Sequence, residues 1–247
     1  MQTLYITMGL YHTCVQKKGI NITMELSELK IIDLKESILA DNDADADRLR
    51  GETADQNVYY VNVMSSPGAG KTTTLLGLTG KLRDDYKIGI LEADIDGDVD
   101  TKTMLDAGLK AVQLHTGGMC HLDADMSRQS LKEIGAEDLD LVILENVGNL
   151  VCPAEFDTGA DMDLVILSVP EGDDKPLKYP LMFEKADVVL LNKIDAMEAF
   201  DFDVDRFREY VAMRNPDAPV FLVSAATGEG LDEVAEWLRG KVDSKIR

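Results

Sequence analysis

Residues 58–76 read VYYVNVMSSPGAGKTTTLL. An apolar run through Met64 turns at Ser65-Ser66 and passes through Gly68 and Gly70 into a stretch that favours helix. The turn fits G-x-x-x-x-G-K-[ST], with Gly70, Lys71 and Thr72 in place and Ser65 where the first glycine of the pattern is expected. Two glycines let successive backbone N–H groups curl around a phosphate, and the helix that follows adds positive potential at its N-terminus. Lys71 is then placed to reach the β- and γ-phosphates, and the Thr72 hydroxyl to ligate Mg²⁺. The residues expected to hold the nucleotide here are Pro67, Gly68, Ala69, Gly70, Lys71, Thr72 and Thr73. Ser65 lies outside that set, so the departure leaves the chemistry intact.

Working outward, apolar runs recur at 87–94, 111–116, 140–146, 163–169, 187–193 and 219–224. They are rich in Val, Ile and Leu and do not alternate, as strands buried on both faces should be. Helical segments at 71–84, 101–109, 122–134, 175–185, 203–213 and 230–241 separate most of them. The alternation predicts an α/β fold of the P-loop NTPase kind, a mainly parallel seven-stranded sheet flanked by helices on both faces. Ligands of such folds bind at the carboxyl ends of the strands. The nucleotide domain is expected over 57–247, preceded by a helical extension over 24–56 with apolar residues at Leu26, Leu29, Ile32, Leu34, Ile38 and Leu39. The acidic run Asp41, Asp43, Asp45 and Asp47 reads as a solvated helix face. Residues 1–23 fit nothing downstream and read as a tail or a misassigned start, with Met24 opening the helical pattern.

The base is read at Asn192-Lys193-Ile194-Asp195, which ends a strong apolar strand. An Asp carboxylate accepts both the N1–H and the 2-amino N–H of guanine, a donor pair that adenine lacks. The segment Ser224-Ala225-Ala226 supplies backbone N–H groups for guanine O6, with Ala226 where lysine is common. This motif argues against an ATPase of the ParA type. Glu145-Asn146-Val147-Gly148 suits a switch whose Gly148 N–H contacts the γ-phosphate while Glu145 orients the Mg²⁺ shell or the attacking water. Asp94 is a second candidate for Mg²⁺. The segment 94–101 has a superficial EF-hand spacing but lacks its closing Glu and flanking helices, so calcium is not expected.

Cysteine and histidine are rare, three of each, yet Cys120 and His121 are adjacent, and Cys152 lies four residues beyond Gly148. Both positions fall at the ligand end of the sheet. Two thiolates and an imidazole suit Ni²⁺ or Zn²⁺, not Mg²⁺. Three ligands are one short of a closed tetrahedral site, so a two-fold dimer promoted by GTP could complete it. Cys14, His12 and His115 read as structural or incidental.

The formal charge of −21 argues against partners such as nucleic acid or an anionic membrane. No apolar stretch is long enough to span a bilayer. An odd, small cysteine count is no disulfide framework and points to a reducing, cytoplasmic setting.

The segments ILADNDADADR, VNVMSSPGAGKTT, TGGMCHLDADM, ENVGNLVCP and PEGDDKPLKYPLMFEKADVVLLNKID resemble the HypB family of the SIMIBI class of P-loop NTPases, from about Glu25 to the C-terminus. The resemblance implies a GTPase that hydrolyses GTP to GDP and phosphate to drive nickel delivery in [NiFe]-hydrogenase maturation. It implies Cys120, His121 and Cys152 as Ni or Zn ligands, with a HypA-like accessory protein and a hydrogenase large-subunit precursor as partners. Two alternatives stand beside it: a GTP-assembled metallochaperone with negligible turnover, and a urease-type GTPase resembling UreG. The UreG pattern joins Cys, Pro and His in one motif, whereas Cys152-Pro153 and Cys120-His121 are separate here. The Cys-rich or His-rich N-terminal stretch of some HypB relatives is also missing, so nickel storage is not expected.

Overall fold

The computed structural model describes residues 34–94, 99–116 and 118–246. The segment 1–23 and the start of the 24–56 extension lie outside the described residues. Seven strands form one sheet: β1 (Tyr59–Ser65), β2 (Ile88–Asp94), β3 (Lys110–His115), β4 (Leu141–Glu145), β5 (Met162–Ser168), β6 (Val188–Asn192) and β7 (Val220–Leu222). Their order is β3-β2-β4-β1-β5-β6-β7, and every neighbouring pair is parallel. All carboxyl ends therefore point one way, and the loops leaving them share one rim.

Parallel strands need crossover helices, and those helices cover both faces. Side chains alternate along β1. Tyr59, Val61 and Val63 face a layer built with α2 (Lys71–Leu82) and α9 (Leu231–Ile246), through Leu75, Leu78, Leu231, Val234 and Leu238. On the opposite face Tyr60 packs with Leu131 and Ile134 of α4 (Ala124–Ile134) and with Leu49 of α1 (Leu34–Asp55). A third cluster joins Met64, Val165 and Leu191 to Met182, Phe183 and Phe207. Each such fully buried Leu, Ile or Phe contributes about 1.5–3 kcal/mol relative to exposure.

Helix α1 buries Asn42, Ala46, Leu49 and Thr53, a helical stripe, while Asp41, Asp43 and Asp47 face water. α3 (Val99–Asp106) lies between β2 and β3, and α5 (Cys152–Glu155) between β4 and β5. The helix expected over 175–185 is split into α6 (Lys175–Lys178) and α7 (Pro180–Lys185). Pro180 cannot donate to the preceding turn and pushes Tyr179 out of the α region, to φ −127°, ψ 60°. α8 runs Val204–Ala212. α9 extends beyond its expected end at 241, because Val242 is buried and Lys245 pairs with Asp161 at 2.6 Å. No described helix is long and apolar enough to cross a membrane.

Candidate functional site

The phosphate loop leaves β1 and enters α2 at Gly70, whose φ of 94° is open to glycine. A Cβ there would lie 2.6 Å from Asn192 Nδ2, so glycine is also required by space. Lys71 Nζ donates to Ser65 Oγ at 3.0 Å. The residue that departs from the glycine pattern thus gives the lysine a polar rest. Thr72 Oγ1 donates to Glu145 Oε1 at 2.9 Å, bringing together two of the residues expected at Mg²⁺. Asp94 ends β2 in register with His115; its side chain lies outside the described residues.

The base-reading residues are held to the same loop. Asn192 is 1% exposed and donates from Nδ2 to the Ala69 carbonyl at 2.9 Å. Its Oδ1 accepts from Lys193 N at 2.8 Å and Ala225 N at 3.0 Å. Lys193 takes a left-handed φ of 64° and lays its Nζ on the Gly68 carbonyl at 2.7 Å. Ser224 Oγ donates to Asp195 Oδ1 at 2.5 Å, which fixes one carboxylate oxygen at the exposed rim beside Ala226. The three loops at Pro67–Thr73, 192–195 and 224–226 are thus one hydrogen-bonded unit.

Two connections were not foreseen from the sequence. Glu171 accepts from the Ser66 hydroxyl and from Ser168 N at 2.8 Å, tying the phosphate loop to the end of β5. Under the sheet surface, Asn62 Nδ2 donates to Asp163 Oδ1 at 2.7 Å, Asn146 Nδ2 donates to Asn62 Oδ1 at 3.0 Å, and Val147 N donates to Asn146 Oδ1 at 2.8 Å. This row of oriented amides runs from β5 across β1 into the switch loop. Its sequence signal was Asn62, a lone polar residue amid the apolar VYYVNVM. Burial pushes the Asp163 carboxyl up to about 7 against the opposing hydrogen bond from Asn62, with Asp187 and Asp157 adding to the rise.

At the far end of the switch loop, Cys152 opens α5 and its thiol meets that of Cys120, on the loop between β3 and α4. The contact with Cys120, then burial, raises the Cys152 thiol above its ordinary value. Both cysteines are free thiols. His121 Nδ1 lies 3.9 Å from Cys120 Sγ, but its ring is stacked on Phe156, centroids 3.7 Å apart and planes within 12°. Desolvation lowers the His121 pKa, with Asp123 and Glu155 opposing, which favours the neutral, ligating form. The two thiols lie together. The imidazole does not complete a trio: among the described residues, no group of three or more His, Cys, Asp or Glu is arranged to hold a metal ion. Two ligands of one tetrahedral ion would stand about 3.5 Å apart, so the Cys120–His121 spacing is close to ligating. Met119 and Val151, 41% and 50% exposed, flank the thiols.

The chain is similar to known proteins along most of its length. The family described as CobW/HypB/UreG, nucleotide-binding domain, matches residues 59–222. The hydrogenase/urease maturation factor HypB of Helicobacter pylori strain J99 is 40% identical over 225 residues, covering 90% of this chain and 91% of that protein. A crystal structure of HypB from Helicobacter pylori in complex with nickel superimposes with a TM-score of 0.78 at 40% identity, covering 84% of this chain and 97% of that one. HypB from Archaeoglobus fulgidus gives a TM-score of 0.77 at 35% identity, covering 83% and 100%. With a family match that spans all seven strands and relatives aligned along nearly their whole length, the chain belongs to the CobW/HypB/UreG family and, within it, to the HypB hydrogenase maturation factors.

Proposed function

We propose that this chain is a GTP-hydrolysing switch that carries nickel on Cys120, His121 and Cys152 and releases it during [NiFe]-hydrogenase maturation. The observation that carries the reading is the span of one short loop. Gly148 sits against the phosphate loop, and Cys152, four residues on, meets the Cys120 thiol. A γ-phosphate contact at one end therefore acts on a metal thiolate at the other.

In this reading the N–H groups of Gly68–Thr73 and the Lys71 ammonium hold the phosphates, and Asp195 with the 224–226 backbone holds guanine. Thr72 and Glu145, already joined at 2.9 Å, would hold Mg²⁺, with Asp94 as a further candidate. Bound Mg²⁺ supplies charge neutralisation on the phosphate oxygens. Water adds to the γ-phosphorus as the bond to the β–γ bridging oxygen breaks, giving GDP and phosphate. Lys71 stabilises the charge that develops on that bridging oxygen. Residue 149, where a water-positioning glutamine would help, is asparagine, and its Oδ1 accepts from Val151 N at 2.8 Å. That engagement favours slow intrinsic turnover and keeps the second reading open, in which GTP mainly assembles the carrier. A dimer supplying further thiolates across a two-fold axis would close the metal site, and Met119 and Val151 would lie in its contact. The accessory and target proteins in this reading are a HypA-like factor and the hydrogenase precursor; service to urease is the alternative, since the Helicobacter pylori relative carries both in its name.

The test is a nickel titration in the presence of a non-hydrolysable GTP analogue or GDP, run beside GTP turnover. Nickel binding that needs all three ligands, with turnover abolished by Lys71→Ala, supports the switch. Absence of nickel binding removes it, and binding without measurable turnover selects the assembly reading.

A further inference from the structure

The acidic N-terminal helix has a face that the nucleotide chemistry does not use, and that face ends on the thiol site. Asn42 is 9% exposed. Its Oδ1 accepts from Ala124 N at 2.9 Å, and its Nδ2 donates to the Asp157 carbonyl at 2.9 Å. Ala124 begins α4, three residues after His121; Asp157 lies five residues after Cys152. One side-chain amide therefore bridges the two chain segments on which the proposed metal ligands hang.

Each end is fastened further. Asp123 Oδ1 accepts from Met126 N at 2.8 Å, so the first turn of α4 takes one cap from its own loop and one from α1. Arg50, also on α1, holds both Asp157 carboxylate oxygens at 2.5 Å and the Ala160 carbonyl at 2.9 Å. The two arms belong to different crossovers, β3-to-α4 and β4-to-β5. Among the described residues Asn42 is the side chain that hydrogen-bonds to the backbone of both.

We propose that Asn42 is a positioning residue of the thiol site, setting the separation of the Cys120–His121 arm from the Cys152 arm. The inference rests on the metal reading above for its function, though not for its geometry. Without the amide, the Ala124 N–H and the Asp157 carbonyl lose their shared partner, and the arms are tied only through longer paths. Residues that orient metal ligands from behind affect affinity by 10- to 100-fold.

The experiment compares Asn42→Ala, Asn42→Asp and, as a control, Arg128→Ala in a Cys14→Ser background. Arg128 joins α4 to α1 through Glu52 and the Asp45 carbonyl and lies 3.8 Å from Asp125 of its own helix, but it hydrogen-bonds to the backbone of neither arm. Asn42→Asp keeps an acceptor for Ala124 N and loses the donor to Asp157, so it retains the helix cap if the alanine variant fails to fold. Two readouts are taken: nickel affinity, and the rate at which diamide converts the Cys120–Cys152 pair to a disulfide, which needs no metal. We expect both Asn42 variants to bind nickel at least 10-fold more weakly and to form the disulfide several-fold more slowly. GTP affinity should stay within about twofold, and Arg128→Ala should leave both thiol readouts within about twofold of the parent. Slower disulfide formation in Asn42 variants of a chain that binds no nickel supports the positioning role and overturns the metal reading. Parental disulfide rates and nickel affinities in Asn42→Asp, or losses matched by Arg128→Ala, overturn the positioning role.

Discussion

A Cβ added to Gly148 would stand 3.1 Å from Cα of Pro67. The switch loop and the phosphate loop are thus in backbone contact at this point, and no side chain fits between them. Gly148→Ala has to push the two apart by a few tenths of an ångström, against a proline whose backbone yields little. Overpacking of this kind costs about 1–3 kcal/mol. The cost falls mainly on the state in which the loop closes on a γ-phosphate. The variant should keep its GDP affinity and lose affinity for a non-hydrolysable GTP analogue by 10-fold or more, measured by fluorescent-nucleotide titration. Equal loss for both nucleotides would mean that Gly148 serves packing alone.

Asp195 is oriented before any base arrives, because Ser224 Oγ holds one of its oxygens at 2.5 Å. Asp195→Asn puts an amide where guanine N1–H needs an acceptor. The loss should be on the order of 2–4 kcal/mol in GTP binding, since a hydrogen bond to a charged group disappears and a donor is left facing a donor. Xanthine nucleotide, with an acceptor at that edge, should recover much of the affinity. GTP binding unchanged in the variant would refute the guanine assignment.

Asp163 allows a pH test of the buried amide row. Its carboxyl titrates at about 7 in the fold, against about 3.9 in an unfolded chain. Between those values the native state binds more protons than the unfolded one, so this group makes stability fall as pH rises from about 4 to 7. The slope is at most about 1.4 kcal/mol per pH unit. Above pH 7 the full penalty is present. Asp163→Asn still offers an oxygen to Asn62 Nδ2 and carries no charge. It should melt higher than the parent at pH 8, and the gap should close toward pH 4. A gap that does not change with pH would show that Asp163 is not the titrating group.

The sheet could be read directly because each parallel strand is buried on both faces, so its sequence is an almost unbroken apolar run. The phosphate loop and Asn192-Lys193-Ile194-Asp195 were equally legible, since backbone geometry and base chemistry leave few residue choices. The break at Tyr179-Pro180 is a local signal that a longer helical pattern over 175–185 masks. Asn42 was hidden differently. It sits among aspartates, and only the packing of α1 on α4 separates this buried amide from its solvated neighbours. The stacking of His121 on Phe156 depends on two segments distant in sequence, and no spacing rule announces it. The amide row had a visible member in Asn62, but its partners could not be paired before strand order was known.

The last prediction follows from the length of the switch loop. Cys152 lies four positions beyond Gly148, at most about 13 Å of extended chain, so a loop that closes on phosphate is expected to move the thiol. Cys120 hangs from a different crossover, held by α1 at Ala124, while Cys152 lies between Gly148 and the Asp157 that α1 also holds. The distance between the two thiols should therefore depend on the nucleotide, and His121 should leave Phe156 to join them in one state only. Both ligands then bias the same two-state element, which makes the coupling reciprocal. GTP analogue and GDP should give nickel affinities that differ by roughly 5- to 150-fold, and nickel should change the preference between those nucleotides by the same factor. Cys152→Ala should erase that difference while GTP binding stays nearly intact, because the phosphate contact at Gly148 lies upstream of the lost thiol. Isothermal titration of nickel into each nucleotide state of the parent and the variant measures all four affinities. Identical nickel affinities in the two parental states would leave a nucleotide site and a thiol site on one loop with no mechanism connecting them.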